Sequence, residues 1–338
     1  MRICLLTRYF GTGSSGIARV ATKILEGLEV RGHDIHRIST KDTSLYSYFA
    51  YTAIKIPIIL PRKGIDVYHA LAPLEGMWLP RNHSIVTYHD LFTTTNPERA
   101  GAGLGYEKWK LFVGRKYFEL GSRIASRCRF IVCVSNKTKQ DVMEYLRVPE
   151  EKIRVIISGI SNDLEPKPKK DGVFRIGTLS QLDKRKRIDL LIKNFKRNKI
   201  DGELVIGGQG IDKPLLSHLA SGDSRIKILG FVPDDKLADF YNSLDVFVFP
   251  TWLEGYGLPI VEAMACKKPV IVLSDAIIPE EVKGRCVIVE DLDTALGNKD
   301  YLEKLYKNVD IENNYMWAKK HDWNKCVDEY IKLYKEIL

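Results

Sequence analysis

Short apolar runs alternate with amphipathic segments along most of this chain. Apolar runs that lie between helical segments are typical of strands buried on both faces of a parallel sheet. In the first half they predict strands at 2–7, 34–39, 66–70, 84–88 and 129–135. Helical spacing predicts helices at 17–31, 107–127 and 137–146, the first of which is closed by Gly32. The alternation therefore predicts an α/β fold.

The pattern stops at residues 161–172, SNDLEPKPKKDG, whose prolines and charges without apolar periodicity are typical of a linker. It restarts at Val173 with predicted strands at 174–180, 202–208, 225–232 and 245–250. We therefore predict two Rossmann-like β/α/β domains, 1–165 and 166–322, facing an interdomain cleft. The tail, 323–338, carries apolar residues at helical spacing and is predicted to be a surface-packed helix.

Composition narrows the functional classes. The chain has 338 residues, 45% hydrophobic and 28% charged, which is typical of a soluble globular protein. Its net charge of +9 suits nucleic acid, an anionic membrane surface or anionic substrates. No nucleic-acid motif with interleaved aromatics is present, so we expect no nucleic-acid partner. Six cysteines without a C-x-x-C pair or metal spacing indicate a reducing, cytoplasmic protein.

Residues 249–275, FPTWLEGYGLPIVEAMACKKPVIVLSD, carry the most specific chemistry. They read as strand, Gly-rich turn, helix and strand, with Pro259 suited to a first helical turn. Free N–H groups at Gly255, Gly257 and the helix start make an anion site. Glu254 in the turn and Glu262 in the helix flank that site, as a sugar nucleotide requires. The helix dipole alone also favours Glu262 at its position, so a purely structural role stays open.

This stretch resembles the E-x7-E segment of family 4 retaining glycosyltransferases of the GT-B fold. The matching residues are Pro250, Glu254, Gly255, Gly257, Leu258, Pro259, Glu262, Ala263, Met264, Ala265, Cys266, Pro269 and Val270. The resemblance implies that Glu262 binds ribose hydroxyls, that Glu254 positions the donor sugar, and that the backbone from Gly255 through Tyr256 to Leu258 binds diphosphate. It also implies a C-terminal helix that returns to the first domain. Lys267 stands where the family usually has glycine, so we expect the following loop to differ.

Gly11, Gly13 and Gly16 spell G-x-G-x-x-G, the dinucleotide fingerprint. Three residues separate this loop from the first strand, and the second strand does not end in an acidic residue, so the match to an NAD site is incomplete. The family has a comparable loop before a helix ending in R-G-H, which implies that Gly13 lies near phosphate or sugar. A flexible structural loop remains the third interpretation.

His89 and Asp90 follow the strand at 84–88, at the edge where open α/β sheets bind ligands. The stretch TYHDL is similar to the family's T-x-H-D, whose histidine lies near the transferred sugar. We therefore predict His89 as a sugar contact. Asp90 is a weaker candidate for a sugar contact. In the alternative interpretation its only role is to fix the conformation of the loop.

Four consecutive basic residues, 184–187, follow the first strand of the second domain, where they would neutralise a diphosphate. Thr178 replaces an arginine of the family pattern, and Lys186 or Arg185 is predicted to supply its charge. Gly208 resembles part of the family's V-G-x-G, and Phe231 and Val232 lie in a segment whose backbone usually contacts the base. A solvated basic face and ordinary glycine turns are the structural alternatives.

No D-x-D motif or His/Cys cluster is present, so we predict no metal and no cofactor beyond the nucleotide-sugar donor. The resulting hypothesis is a retaining glycosyltransferase that acts on a hydroxyl of a sugar, lipid-linked or small-molecule acceptor in glycan, glycolipid or polysaccharide synthesis. An NAD-type oxidoreductase and a non-catalytic sugar-nucleotide-binding module are the alternatives.

Residues 106–129 interleave aromatic and basic side chains, beginning with Tyr106 and Trp109, and residues 46–60 are largely apolar. Neither segment offers the roughly 20 apolar residues that a membrane span requires. Together they suit peripheral contact with an anionic membrane. The alternative is an ordinary amphipathic helix whose aromatics lie in the core.

Overall fold

The computed structural model describes the chain except residues 12–15, 41–44, 62, 102–107, 199 and 298, and the side chains of Leu45, Lys108, Lys299 and Tyr306. Gly13 and Tyr106, both named above, lie outside the described residues. The described chain divides into two compact units. Unit 1 holds the described residues up to Gly159 together with Trp323–Leu338, and unit 2 holds Ile160–Asp322.

Unit 1 is built on a six-stranded parallel sheet in the order β2-β1-β3-β4-β5-β6. Its strands are β1 Arg2–Leu6, β2 Asp34–Ile38, β3 Val67–Ala70, β4 Ser84–Tyr88, β5 Phe130–Cys133 and β6 Ile153–Val155. Every residue of β3, β4 and β5 is buried, as their apolar runs predict. The short strand β6 was not predicted because only three residues pair.

Helices cover this sheet. They are α1 Gly16–Val30, α2 Leu45–Ala50, α3 Ile56–Ile59, α4 Phe92–Thr95, α5 Pro97–Ala100, α6 Lys108–Ala125 and α7 Asn136–Leu146. A π-helical turn, Tyr51–Lys55, joins α2 to α3. Ser135 caps α7 by accepting a hydrogen bond from the N–H of Thr138, which satisfies one of the free donors at the helix start.

The C-terminal helix, labelled α16 and spanning Trp323–Lys335, belongs to unit 1. Arg31 Nε donates to Asp328 at 2.8 Å, and the Tyr334 hydroxyl lies 2.7 Å from Nδ1 of buried His69. A Cβ on Gly27 would lie 2.5 Å from a methyl of Val327, so α1 and α16 pack too closely for a larger residue there.

Unit 2 repeats the architecture with the order β12-β11-β10-β7-β8-β9. Its strands are β7 Arg175–Leu179, β8 Glu203–Gly207, β9 Ile226–Gly230, β10 Val246–Phe249, β11 Val270–Leu273 and β12 Val287–Val289. Its helices are α8 Ile188–Asn198, α9 Lys213–Ala220, α10 Leu237–Asn242, α11 Leu258–Ala265, α12 Glu280–Lys283, α13 Leu292–Ala295, α14 Lys299–Lys307 and α15 Ile311–Ala318. All pairings in both sheets are parallel, so the α/β fold class is confirmed.

The predicted linker has no helix or strand, but its residues are held by unit 2. Leu164 is fully buried, the N–H of Lys167 donates to Asn242 at 2.7 Å, and Lys319 Nζ donates to Glu165 at 2.6 Å. The division between the units therefore falls at Gly159 and Ile160, ahead of the boundary that composition predicts. Among the helices of the described residues, none combines the length and apolarity needed to cross a membrane.

Candidate functional site

The sheet of unit 2 changes direction between β7 and β10. From β7 the chain proceeds outward to β8 and β9, and from β10 it proceeds the other way to β11 and β12. In open α/β sheets, ligands bind beyond the carboxyl ends of the strands at such a point. The basic turn follows β7 there and the Glu254 turn follows β10, so the topology brings together two motifs that are far apart in sequence.

Lys186 and Glu254 form an ion pair between these two turns. Their side chains are only 8% and 12% exposed. Burial lowers the pKa of the Lys186 ammonium, and the charge of Glu254 opposes that shift. Thr251 Oγ1 also donates to Oε1 of Glu254 at 2.8 Å. Both contacts of the carboxylate fall on Oε1, so Oε2 is the oxygen that the described hydrogen bonds leave for another donor.

Arg187 fixes the basic turn against the end of β10. It adopts a left-handed backbone conformation with φ 52°, which ends the 3-10 turn of residues 184–186 and precedes α8. Its guanidinium donates to the carbonyl of Pro250 at 2.5 Å and to that of Thr251 at 3.0 Å, and it pairs with Asp275 through two bonds of 2.8 Å. The sequence interpretation missed this residue, because a run of four basic residues gives no sign of which one points inward.

The helix α11 begins at Leu258, after Gly257 in a left-handed conformation with φ 99°. A non-glycine residue at that φ is strained, so Gly257 sets the turn that brings α11 to the end of β10. Glu262 lies just over one turn into the helix and is 2% exposed. Its Oε2 accepts a hydrogen bond from the Tyr241 hydroxyl at 2.8 Å, which holds the carboxylate in one orientation.

Tyr256 lies in the same turn but points into unit 2. Its ring is buried, and its hydroxyl lies 2.5 Å from Nε2 of His321. The predicted donor contact of Tyr256 is therefore restricted to its backbone. Gly255 and Leu258 are half-buried, and they lie on either side of Gly257 at the start of α11.

The glycine loop after β8 packs directly on the basic turn. A Cβ on Gly208 would lie 1.8 Å from the carbonyl oxygen of Ser180, and one on Gly210 would lie 2.1 Å from that of Leu182. These glycines are therefore required for close backbone packing, whatever else they contact. Phe231 is 37% exposed at the end of β9, while Val232 is buried.

Arg185 and Lys267 occupy two further positions that the sequence singles out. Arg185 is 26% exposed beside Asp183, with a nitrogen–oxygen distance of 3.6 Å. Lys267 adopts φ 56°, the left-handed conformation in which glycine is common, and its Nζ donates to Glu312 at 2.6 Å. The backbone after α11 thus takes a glycine-like turn although the residue is lysine. Thr178, at the family's arginine position, is buried inside β7.

In unit 1, His89 follows β4 and is half-buried. Its Nε2 lies 3.0 Å from the carbonyl oxygen of Leu71 and therefore carries the proton in the neutral ring, which leaves the Nδ1 lone pair as an acceptor. Burial lowers the pKa of His89, so the ring is neutral at pH 7. Asp90 Oδ1 accepts from the N–H of Phe92 at 3.1 Å, consistent with a role in fixing the loop.

The N–H of Gly11 donates to Thr22 Oγ1 at 2.8 Å, a side chain of α1. In a dinucleotide fingerprint such loop N–H groups face the pyrophosphate. This one is already bonded within the protein, which counts against the NAD interpretation.

A buried carboxylate in unit 1 was also missed. Glu75 is fully buried in a 3-10 turn after β3, and its two oxygens lie 3.0 and 3.1 Å from the hydroxyl of Tyr48. The Arg8 guanidinium lies 4.5 Å from the centre of the Tyr48 ring. Burial raises the pKa of Glu75 to about 7. Nothing in the local sequence APLEGM indicates that this glutamate is buried.

Among the described residues, no group of three or more His, Cys, Asp or Glu side chains could hold a metal ion. Beyond β7 and β10, Lys186 pairs with Glu254, Arg185 with Asp183 and Arg187 with Asp275. Glu262 lies just over one turn into α11, which starts from the same end of the sheet. This arrangement suits an anionic ligand that also offers hydroxyl groups.

Comparison with known protein families gives two matches. The model described as Glycosyltransferase Family 4 matches residues 14–164, and the model described as Glycosyl transferases group 1 matches residues 173–308. The O-antigen chain mannosyltransferase B of Escherichia coli is 23% identical over 316 residues, which cover 80% of this chain and 80% of the relative.

Solved structures show the same fold. A sucrose-phosphate synthase from Thermosynechococcus elongatus gives a TM-score of 0.76 at 16% identity, over 99% of this chain and 98% of that one. HepE of Anabaena, solved with UDP and glucose, gives a TM-score of 0.73 at 16% identity, over 99% of this chain and 100% of that one.

Proposed function

Because this chain belongs to the group 1, family 4 glycosyltransferases of the GT-B fold, we propose that it is a retaining, metal-independent enzyme. It moves a sugar from a nucleoside-diphosphate sugar to a hydroxyl group of its acceptor. The observation that carries the proposal is the buried Lys186–Glu254 pair at the direction change of the unit 2 sheet. Such a pair offers a cation for the diphosphate and an oriented carboxylate for the sugar.

The diphosphate is bound by Lys186 and by the N–H groups at the start of α11. Fixed positive groups of this kind stabilise the charge that develops on the leaving group without reorganisation. Arg185 stands beside Lys186 as a second cation, while Arg187 acts as a positioning residue that holds the turn on Pro250 and Thr251. No metal ion is needed, because the protein supplies the compensating charge.

The two glutamates divide the donor between them. Glu254 keeps Oε1 on Lys186 and Thr251 and offers Oε2 to a hydroxyl of the transferred sugar. Glu262, held by Tyr241, accepts from the ribose hydroxyls. The base of the donor nucleotide lies against the backbone at Phe231 and Val232. Gly208, which has no side chain, lets the loop after β8 come close to the donor. The family resemblance supports each of these roles, and the observed contacts of the carboxylates support those of Glu254 and Glu262.

The transfer step is a same-face substitution. The bond between the anomeric carbon and the phosphate oxygen breaks, and its electron pair stays on the diphosphate. The acceptor oxygen attacks from the face that the diphosphate leaves, and its proton passes to a phosphate oxygen. His89, neutral at pH 7, accepts a hydrogen bond from a sugar hydroxyl through Nδ1.

The acceptor is proposed to belong to polysaccharide or glycolipid synthesis, by analogy with the O-antigen chain mannosyltransferase. All six cysteines are free thiols, which fits a reducing cytoplasmic location. At the cytoplasmic face of a membrane the enzyme would reach an acceptor that is attached to a lipid, and a peripheral location is part of the proposal.

A thermal-shift screen with UDP-, GDP- and ADP-sugars tests donor binding. A donor at a hundred times its Kd stabilises the folded protein by about 2.7 kcal/mol. For a unit of this size that corresponds to a rise in Tm of roughly 5–11 °C. One nucleotide class should give this rise in wild type and lose it in Lys186→Ala. If no nucleotide sugar raises the Tm, the proposed donor site is wrong.

A further inference from the structure

Unit 1 exposes an unusual concentration of large apolar side chains. Ten of the 22 exposed large hydrophobic residues in the described chain lie on α2, the π-helical turn, α3, α6 and Trp78. They include Tyr46 and Ile58, which are 70% and 76% exposed, and Trp109 and Phe112, which are both 60% exposed. Side chains of this size at this exposure mark an interaction surface when they are contiguous.

Contacts between the helices place α2, the π-helical turn, Trp78 and α6 next to one another. The rings of Phe49 on α2 and Tyr117 on α6 lie 4.6 Å apart, and Tyr117 also bonds Thr52 Oγ1 at 2.7 Å. The indole N–H of Trp78 donates to the carbonyl of Thr52 at 2.8 Å. The Phe49, Thr52, Tyr117 and Trp78 contacts thus join the two helical segments side by side. We call this the α2–α6 surface.

The exposed residues of α6 follow one helical face. Trp109, Phe112, Val113 and Leu120 are all exposed and recur at spacings of three, four and seven residues. The alternative in which these aromatics lie in the core is therefore wrong for Trp109 and Phe112. Tyr117 and Phe118, by contrast, are partly buried and face the protein.

Charge accompanies this apolar face. Residues 45–59 and 108–127 contain seven Lys or Arg and one acidic residue, Glu119, a net +6 of the chain's +9. Glu119 is itself paired with Arg115 at 2.8 Å and Lys116 at 3.0 Å. Two thirds of the net charge thus lies on segments that also expose aromatic rings. An apolar face flanked by an excess of lysine and arginine is complementary to the surface of an anionic bilayer.

We propose that the α2–α6 surface docks on a bilayer of anionic phospholipids, with the rings at headgroup depth and the basic residues on the lipid phosphates. Tryptophan and tyrosine favour that depth because they are apolar with one polar group. Resting on the proposed transferase function, the surface also assigns the acceptor class: a hydroxyl acceptor carried on a lipid of the same bilayer.

Vesicle co-sedimentation tests the docking without donor or acceptor. The probes are vesicles of phosphatidylcholine alone and of phosphatidylcholine with 30% phosphatidylglycerol, each at about 0.05 and 1 M salt. We expect binding to the anionic vesicles at low salt, with a blue shift of tryptophan fluorescence, and its loss at high salt, where the Debye length falls to about 3 Å. A protein that stays in the supernatant with anionic vesicles at low salt overturns the proposal.

Two sets of variants locate the surface. Lys110→Glu with Lys116→Glu and Arg123→Glu should reduce vesicle partitioning by at least about 100-fold, since each basic residue near the surface contributes roughly fivefold. The matched control reverses three exposed lysines of unit 2, Lys193, Lys236 and Lys307, and should lose far less. Equal losses in both sets would show general charge attraction and overturn the assigned surface.

The apolar set is Trp109→Ser with Phe112→Ser, matched by Leu215→Ser with Met316→Ser, which are also exposed but lie in unit 2. Only the first pair should lose vesicle binding, while both keep the wild-type Tm. A dimer in sedimentation velocity that dissociates in the first pair would assign the surface to a second copy of the chain instead.

The donor screen separates this proposal from the transferase proposal. The variants of the α2–α6 surface should retain the wild-type thermal shift with the nucleotide sugar, because they lie in unit 1, whereas Lys186 and Glu254 belong to unit 2. Donor binding without vesicle binding overturns only the docking surface and its lipid-linked acceptor. Vesicle binding without any donor response overturns the transferase proposal and leaves the surface in place.

Discussion

Removing the charge of Glu254 should leave Lys186 as an unpaired charge in a buried site. Glu254→Gln keeps the size of the side chain but ends the ion pair, while Lys186 stays only 8% exposed. Breaking a buried pair in this way costs about 3–5 kcal/mol. The cost has an upper limit, because the unpaired lysine can lose its proton instead of staying charged. For a lysine of ordinary pKa, losing the proton at pH 7 costs about 5 kcal/mol. We therefore expect Glu254→Gln to destabilise unit 2 by an amount in this range.

The second substitution, Lys186→Met, should relieve part of that cost. Methionine has a similar length and can pack beside the Phe249 ring, whose centre lies 5.4 Å from Lys186 Nζ. Replacing both partners of a buried pair by uncharged groups is often neutral. The double variant should therefore be more stable than Glu254→Gln alone by at least about 2 kcal/mol, a coupling typical of residues in contact.

Urea unfolding of the four proteins, followed by circular dichroism, measures this coupling. The pH supplies a second readout for Glu254→Gln. Burial lowers the pKa of Lys186 in the folded state, so that variant should gain stability as pH rises towards the ordinary lysine pKa. Additive effects of the two substitutions, or a Glu254→Gln variant without this pH response, would refute the buried-pair reasoning. Lys193→Ala, at an exposed pair with Asp189, is the control and should cost less than about 1 kcal/mol.

Three further predictions concern other parts of the chain. Burial raises the pKa of Glu75 to about 7, so its contribution to stability is present at low pH and is lost as pH rises. Wild type should lose about 2 kcal/mol between pH 5 and 7 relative to Glu75→Gln, and identical pH profiles in urea unfolding would contradict this. Lys267→Val should lower the free energy of unfolding by about 1–2 kcal/mol, because the backbone at this position is left-handed. Lys267→Gly should change it by less than about 1 kcal/mol, and equal Tm values for the two variants would show that the turn carries no strain. Sugar-transfer activity should be unchanged by EDTA, because Lys186 and the start of α11 balance the charge of the leaving group. A complete loss of activity that Mg²⁺ or Mn²⁺ restores would contradict this.

The strands and the long helices could be read from the sequence because each depends on local apolar spacing. Helix α7 is observed at Asn136–Leu146 against a predicted 137–146, and β4 matches its apolar run residue for residue. The pairing of Lys186 with Glu254 could not be read, although both residues were predicted site members. It depends on β7 and β10 being neighbours, which only the sheet order decides.

Other features depend on tertiary contacts that no local pattern contains. The inward direction of Arg187 follows from the carbonyls of Pro250 and Thr251, which lie on another strand end. The left-handed turn at Lys267 goes against the intrinsic preference of lysine and is held by α11 and by Glu312. Glu75 is buried because Tyr48, from a helix earlier in the chain, covers it.

The central claim, that the Lys186–Glu254 site serves retaining transfer from a nucleotide sugar, is tested most directly by following donor turnover by proton NMR. The donor selected by thermal shift would be incubated with the enzyme, a lipid-linked or alkyl-glycoside acceptor and EDTA, and the anomeric signal of the new linkage recorded as it forms. The account predicts release of the nucleoside diphosphate, a product with the anomeric configuration of the donor, and loss of both signals in Glu254→Gln. A product of inverted configuration, or wild-type turnover that Glu254→Gln and Lys186→Ala leave unchanged, would contradict it.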